Sequence, residues 1–80
     1  MAVKSLHTKI EQYVINSVKD KRIEEGLSQR ELAYQIDMSL GFIGDVENPK
    51  RRAKYNLNHL NEIAKLFKCS IKDFLPQEPL

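Results

Sequence analysis

The chain has 80 residues, of which 41% are hydrophobic and 30% are charged, and its formal net charge is +2. This length excludes a large core, because a chain of this size buries only roughly 60–65% of the surface that it exposes when unfolded. A pI near 8.8 permits nucleic-acid binding without arguing for it. The distribution of the charges is more informative than the net charge, since four of the five residues from Lys50 to Lys54 are basic.

The single cysteine, Cys69, cannot form a disulfide within the chain, which suits a reducing interior. We expect it to behave as a small hydrophobic residue. No apolar run approaches the roughly 20 residues of a membrane span, and the N-terminal sequence lacks the apolar centre of a secretory signal. We therefore expect a cytoplasmic protein without a membrane partner.

The first helix is predicted from about Thr8 to Glu25, after a segment, residues 1–7, that is flexible or extends the helix. Thr8 is a candidate N-cap, and Gly26 supplies the left-handed residue that commonly ends a helix. Apolar residues recur at roughly helical spacing. They predict a buried stripe made of Ile10, Tyr13, Val14, Val18 and Ile23.

A second helix is predicted to start at Ser28, which forms a capping box with Glu31. Its buried stripe is predicted to contain Leu32, Ala33 and Ile36. Asp37 is the predicted turn residue that follows, since Asp tolerates a positive φ better than most residues.

The third helix is predicted from about Leu40 to Glu47, with Ser39 as its cap. Its core face is predicted to contain Phe42, Ile43 and Val46. Gly41 and Gly44 are unfavourable in a helix interior, where each costs up to about 1 kcal/mol relative to Ala. A helix that keeps both is either held by packing or needs a bare surface.

A basic loop from Pro49 to Tyr55 precedes the fourth predicted helix, Leu57 to Lys68, which Asn56 caps. The inward residues of that helix are predicted to be Leu57, Leu60, Ile63, Ala64 and Phe67. Ser70 and Asp73 cap a short fifth helix, Ile71 to Leu75, which Pro76 stops, and residues 76–80 are expected to form a loose tail. The pattern predicts an all-α domain over residues 8–75.

No catalytic or metal-binding constellation is found. His7 and His59 are far apart and lack a neighbouring set of Asp, Glu or Cys residues, which argues against a metal site. The chain has no Gly-rich phosphate loop and no nucleophile elbow. We therefore expect no enzymatic activity, no catalytic residue and no cofactor.

Three stretches, GLSQRELA, the FIxxVEN end of the third helix and LNEIAKLFKCSIKDFL, carry a family resemblance. From about Val14 to Leu75 the chain resembles the DNA-binding domain of lambdoid phage repressors, Cro and the wider XRE-type helix-turn-helix regulators. The resemblance implies a lambda-repressor-like fold of five short helices with the helix-turn-helix at the second and third. It also implies a double-stranded DNA partner and a role as a sequence-selective, repressor-like transcriptional regulator.

The resemblance assigns roles to particular residues. Base-facing positions are Ser39, Leu40, Gly41 and Asp45. Phosphate-binding positions are Gln29, Asn48, Lys50, Arg51, Arg52, Lys54 and Tyr55. Arg30, beside Gln29 at the start of the second helix, is a further candidate, and surface solubility is the alternative explanation for both residues. A buried structural ion pair is implied between Arg22 and Glu47.

The third helix departs from the family in its base-reading chemistry. Between Ser39 and Glu47 it has none of the Arg, Lys, Asn or Gln residues that usually read bases. We therefore expect weak base readout, with DNA shape contributing to specificity. A homodimer on DNA is expected because one short helix covers few base pairs. Its candidate contact residues are Ile71, Phe74 and Leu75.

A second interpretation also explains why the third helix lacks the residues that usually read DNA bases. The chain would be a protein-interaction module of the same fold, such as a docking domain or an antitoxin that binds a toxin, and Leu40 would anchor that protein or co-regulator partner.

Overall fold

In a computed structural model, which describes residues 5–80, the chain folds into four α-helices and one 3₁₀ turn. The helices are α1 (Lys9–Glu24), α2 (Gln29–Gln35), α3 (Phe42–Glu47) and α4 (Leu57–Phe67). The 3₁₀ turn is Ile71–Phe74. No strand occurs within residues 5–80, so the all-α class is confirmed for that part of the chain.

The fifth predicted helix is wrong as an α-helix. The hydroxyl of Ser70 accepts a hydrogen bond from the amide of Lys72, and a carboxylate oxygen of Asp73 accepts one from the amide of Ser70, so the capping box is present. Only four residues follow the cap before Leu75 becomes extended next to Pro76. A residue that precedes proline is disfavoured in helical conformation, and this leaves room for a single tight turn.

Side-chain caps explain where three of the α-helices begin. Thr8, Ser28 and Asn56 each accept the backbone amide three residues later, and a side chain at that later position returns a bond. All three caps were predicted from the sequence. Gly26 ends the α1 segment with φ +73°, in the left-handed region where glycine avoids strain.

The core lies where α1, the α2–α3 pair, α4 and the 3₁₀ turn meet. Val18, Leu32, Ile43 and Ile63 have no exposed surface, and Phe74 from the 3₁₀ turn closes this cluster with 2% of its surface exposed. Cys69 packs against the same cluster as a partly buried hydrophobic residue, as the sequence predicts. Burial raises the pKa of its thiol.

Several predicted core positions face solvent instead. Ile10, Tyr13 and Ile23 on α1 are exposed, and Leu57 is 72% exposed. The buried stripe of α1 runs through Val14, Ile15, Val18 and Arg22. Val14 and Val18 match the prediction, Ile15 was not predicted, and Arg22 takes the place expected for Ile23 because its charge is buried in an ion pair with Glu47.

The expectation for residues 1–7 lies partly outside the described residues, since residues 1–4 are not described. Leu6 and His7 contact the basic loop. The amide of Leu6 donates to the carbonyl of Pro49 at 2.9 Å, and Nε2 of His7 donates to the carbonyl of Ala53 at 2.8 Å.

Candidate nucleic-acid interface

The α2–α3 pair is joined by a tight turn that Asp37 makes possible. Asp37 adopts φ +58°, as predicted for the turn residue, and the amide of Met38 donates to the carbonyl of Ala33 at 2.9 Å. Ala33 is fully buried, and its small side chain suits a close approach of the two helices. The solvent-exposed residues of the pair include Gln29, Arg30, Tyr34 and Asp45.

The base-facing candidates share that exposed surface. Ser39, Leu40, Gly41 and Asp45 are all exposed, whereas Ile43 and Val46 of the same segment are fully buried. The predicted start of the third helix is wrong, because α3 begins at Phe42 with Gly41 as its N-cap. Three of the four candidates therefore lie in the turn before α3, and only Asp45 is on the helix.

A run of cations follows α3 directly; we call Lys50 to Lys54 the basic corner. Asn48 is the C-cap of α3, and its side-chain Oδ1 accepts the amide of Lys50 at 3.0 Å. The amide of Arg51 donates to the carbonyl of Asn48 at 3.0 Å. These bonds fix the start of the corner to the end of α3.

The cations of the basic corner differ in whether they form an ion pair. Lys50, Arg51 and Arg52 are exposed and make no ion pair within residues 5–80. Lys54 instead bonds to Glu11 with Nζ 2.7 Å from Oε2, and this bond helps to hold the pKa of Glu11 below its ordinary value. Among the described residues, three cations of the corner thus remain unpaired and exposed, and a fourth is already partnered.

Tyr55 does not fit the phosphate-binding role that the resemblance implies. Its hydroxyl is buried and has no hydrogen-bond partner in the described part of the chain. Burial, with the nearby charge of Glu47, raises the pKa of this hydroxyl. Its ring lies 6.0 Å from that of Phe42 between centroids, in an edge-on arrangement. In this structure the Tyr55 hydroxyl is therefore not exposed to a ligand, and its ring packs against Phe42.

Arg22 and Glu47 form a two-bond ion pair inside the domain. Nε and Nη2 of Arg22 lie 3.0 and 2.9 Å from the two carboxylate oxygens of Glu47. Only 10% of the Arg22 side chain and 3% of the Glu47 side chain are exposed. Nη1 of Arg22 also donates to the carbonyl of Leu27 at 2.8 Å. The pair thus ties α1 to the end of α3.

Gln29 and Arg30 open α2 beside this ion pair. Nε2 of Gln29 donates to Oε1 of Glu47 at 2.9 Å, so the first residue of α2 is bonded to the last residue of α3. Arg30 is exposed and lines a shallow surface groove together with Tyr34 and Leu40.

Tyr34 is a surface residue that the sequence analysis missed. It is 74% exposed and follows Arg30 by one helical turn. The four-residue spacing of Arg30 and Tyr34, which places both on one face of a short helix, was the sequence pattern that could have indicated a shared surface.

Residues 5–80 contain no group of three or more His, Cys, Asp or Glu side chains placed to hold a metal ion. In the same part of the chain, no helix has both the length and the apolar character needed to cross a bilayer.

Known protein families and curated proteins give no match to this chain. Solved structures do match. The restriction-modification controller protein C.AhdI from Aeromonas hydrophila has a TM-score of 0.66 and 21% identity, over 79% of this chain and 92% of its own. A variant of the restriction-modification controller protein C.Esp1396I has a TM-score of 0.69 and 25% identity, over 85% and 88% of the two chains.

The hypothetical transcription factor NHTF from Neisseria is similar with a TM-score of 0.68 and 20% identity, over 92% of this chain and 90% of its own. Apo-HppE gives a TM-score of 0.70 at 20% identity, but this chain spans only 37% of its length. The resemblance to XRE, Cro and cI-type helix-turn-helix domains is thereby confirmed at the level of the fold.

Proposed function

We propose that this chain is a double-stranded DNA-binding regulator of repressor-like action. The observation that carries the proposal is the juxtaposition of the exposed residues of α2 and α3 with three exposed cations, Lys50, Arg51 and Arg52, directly after α3. Cations beside a groove-facing helix pair neutralise phosphates and so orient the pair on the duplex. Similarity to two controller proteins and a hypothetical transcription factor supports it.

The phosphate contacts come from the exposed residues around α3. They are Gln29, Arg30, Asn48, Lys50, Arg51 and Arg52, with Lys54 available once it leaves Glu11. Each neutralised phosphate releases counterions, so the logarithm of the affinity falls against the logarithm of the salt concentration with a slope of about −0.9 per contact.

Sequence is read weakly, through the turn before α3 and through Asp45. Leu40 can meet a thymine methyl group, and Asp45 can accept from a cytosine amine. DNA shape then supplies much of the selectivity. Selection of bound DNA from random sequence, followed by base-by-base substitution, tests this. Gradual losses spread over the site are expected, and steep losses at several positions would contradict it.

Salt-dependent binding to random duplex tests the function itself. Replacing Arg51 and Arg52 with Gln should reduce the salt slope by about 1.8, because two phosphate contacts are lost. The matched control replaces Lys68, which ends α4, and Lys72, in the 3₁₀ turn, with Gln. Both are exposed, and their loss should leave the slope nearly unchanged. Equal slopes for both variants, or no binding by the wild type, would reject a DNA-binding function.

We propose that two copies bind DNA together, with their α3 helices about 34 Å apart on one face of the duplex. Phe74 cannot contact the second copy, since it is buried in the core of its own subunit. Leu75 is exposed and keeps the role proposed for it. Leu75→Asp should weaken self-association in analytical ultracentrifugation. A monomer at all concentrations, with and without DNA, would remove the dimer.

One observation favours a second candidate function, a protein-interaction module. Tyr34 and Leu40 are exposed apolar residues that line one groove on the α2–α3 surface, and exposed apolar surface of this kind suits a protein partner. A docking module of this kind would show little salt-dependent binding to random duplex, and Leu40→Ala would abolish its partner binding.

A further inference from the structure

The carboxylate of Glu47 serves two side chains at once. Its Oε1 accepts from Nη2 of Arg22 and from Nε2 of Gln29, both at 2.9 Å. The Glu47 side chain is almost wholly buried and its charge is balanced by Arg22, whereas Gln29 is exposed. A buried ion pair therefore fixes one end of an exposed amide at the start of α2.

Gly44 shapes the same place from α3. A Cβ atom at Gly44 would lie 3.2 Å from Oε1 and 3.9 Å from Cδ of Gln29. Contacts of 3.2 Å are tighter than a methyl group normally accepts, so the amide would have to shift. A Cβ at Gly41, by contrast, would meet nothing within 4 Å. The side chain of Gln29 thus lies across α3 in the space that any larger residue at position 44 would occupy.

We propose that Glu47 and Gly44 are positioning residues, which together aim the amide of Gln29 at a DNA phosphate. Glu47 takes one N–H of Nε2, and the second N–H remains free to donate to a phosphate oxygen. Gly44 keeps the path of the side chain clear. An amide that is already held loses less side-chain freedom on binding, so its contact adds more to the affinity. This inference rests on the proposed DNA-binding function.

Gly44→Ala separates positioning from stability. Alanine is a better helix former than glycine, and the exposed Gln29 side chain can move by the few tenths of an ångström that the new Cβ needs, so the melting temperature should stay the same or rise. DNA affinity should nevertheless fall by about twofold to tenfold, as expected for one misdirected hydrogen bond. A variant that is no less stable and yet binds more weakly is not explained by a merely structural role.

A double-mutant cycle tests whether Gly44 acts through Gln29, by introducing Gly44→Ala into a Gln29→Ala background as well as into the wild type. Without the Gln29 amide, Gly44→Ala should cause no further loss of affinity. An equal loss in both backgrounds, or no loss in the wild-type background, overturns the inference. If the wild type fails to bind duplex, the proposed function fails, and the phosphate role of Gln29 fails with it.

A measurement without DNA gives a second test. The side-chain amide protons of Gln29 should have NMR shifts away from those of a free glutamine in the wild type, because Glu47 accepts one of them. In Gly44→Ala they should move toward the free values. Free values already present in the wild type would overturn the inference, even if the chain binds DNA.

Discussion

The ring of His59 on α4 lies 4.7 Å, centroid to centroid, from the ring of Phe42, the first residue of α3. Nδ1 of His59 also accepts the amide of Asn56 at 3.0 Å, as part of the α4 cap. A neutral imidazole is required for that acceptor role. The start of α4 and the orientation of α3 therefore depend on the same side chain.

This arrangement predicts a loss of stability in mild acid. Burial lowers the pKa of His59 below its ordinary value of 6.5. The unfolded chain then binds a proton more readily than the folded chain. The stability that neutral His59 contributes is therefore fully present above pH 6.5 and is lost as the pH falls through the folded-state pKa. Thermal unfolding between pH 7.5 and pH 5.5 should show a smaller decrease for His59→Gln, which can still complete the cap. The same decrease in both proteins would contradict the role of His59.

The Arg22–Glu47 pair predicts a large stability effect. Glu47→Gln leaves the Arg22 charge buried without its partner, and such a change costs about 3–5 kcal/mol. Glu24→Gln removes an exposed carboxylate 3.8 Å from Lys21 and should cost well under about 1 kcal/mol. Urea unfolding of both variants measures the difference. Equal small effects would show that the buried pair contributes little.

The left-handed conformation of Lys68 predicts a stabilising change. Lys68 ends α4 with φ +54°, and the amide of Cys69 donates back to the carbonyl of Ala64 at 3.0 Å. This is the position where helices prefer glycine. Lys68→Gly should therefore raise the free energy of unfolding, by up to about 1 kcal/mol. Lys65→Gly, within the helix, should instead lower it by about 1 kcal/mol. A lower free energy of unfolding in both variants would show that the left-handed conformation of Lys68 does not cost stability.

The Lys54–Glu11 bond predicts a gain in DNA binding. Glu11→Gln removes a negative charge beside the basic corner and frees Lys54, while Gln at position 11 can still complete the α1 capping box. One further phosphate contact would steepen the salt slope by about 0.9. Glu62→Gln is the matched control, since it frees Lys65 away from the corner. A slope unchanged in both variants would mean that Lys54 does not reach the backbone of the duplex.

The sequence predicts those parts of the fold that local chemistry determines. Thr8, Ser28 and Asn56 begin helices, and Gly26 and Asp37 take positive φ, because each effect involves residues only a few positions apart. The start of α3 was misplaced because Ser39 resembles a cap. The amide of Phe42 donates to the carbonyl of Ser39 in a preliminary turn, and helical bonding begins only afterwards.

Predictions that depend on tertiary packing succeeded less well. The exposure of Leu57 is not encoded in the spacing of apolar residues, because it depends on which elements cover the first turn of α4. The burial of the Tyr55 hydroxyl likewise depends on tertiary packing, in which the Tyr55 ring contacts Phe42 of α3. The bond between Gln29 and Glu47 joins residues 18 positions apart, and no local pattern indicates it.

The bonds of Leu6 and His7 to the carbonyls of Pro49 and Ala53 have a practical consequence. They dock the backbone that leads into α1 against the cationic side of the molecule. A purification handle or fluorophore fused ahead of Leu6 would emerge beside the surface whose affinity is to be measured.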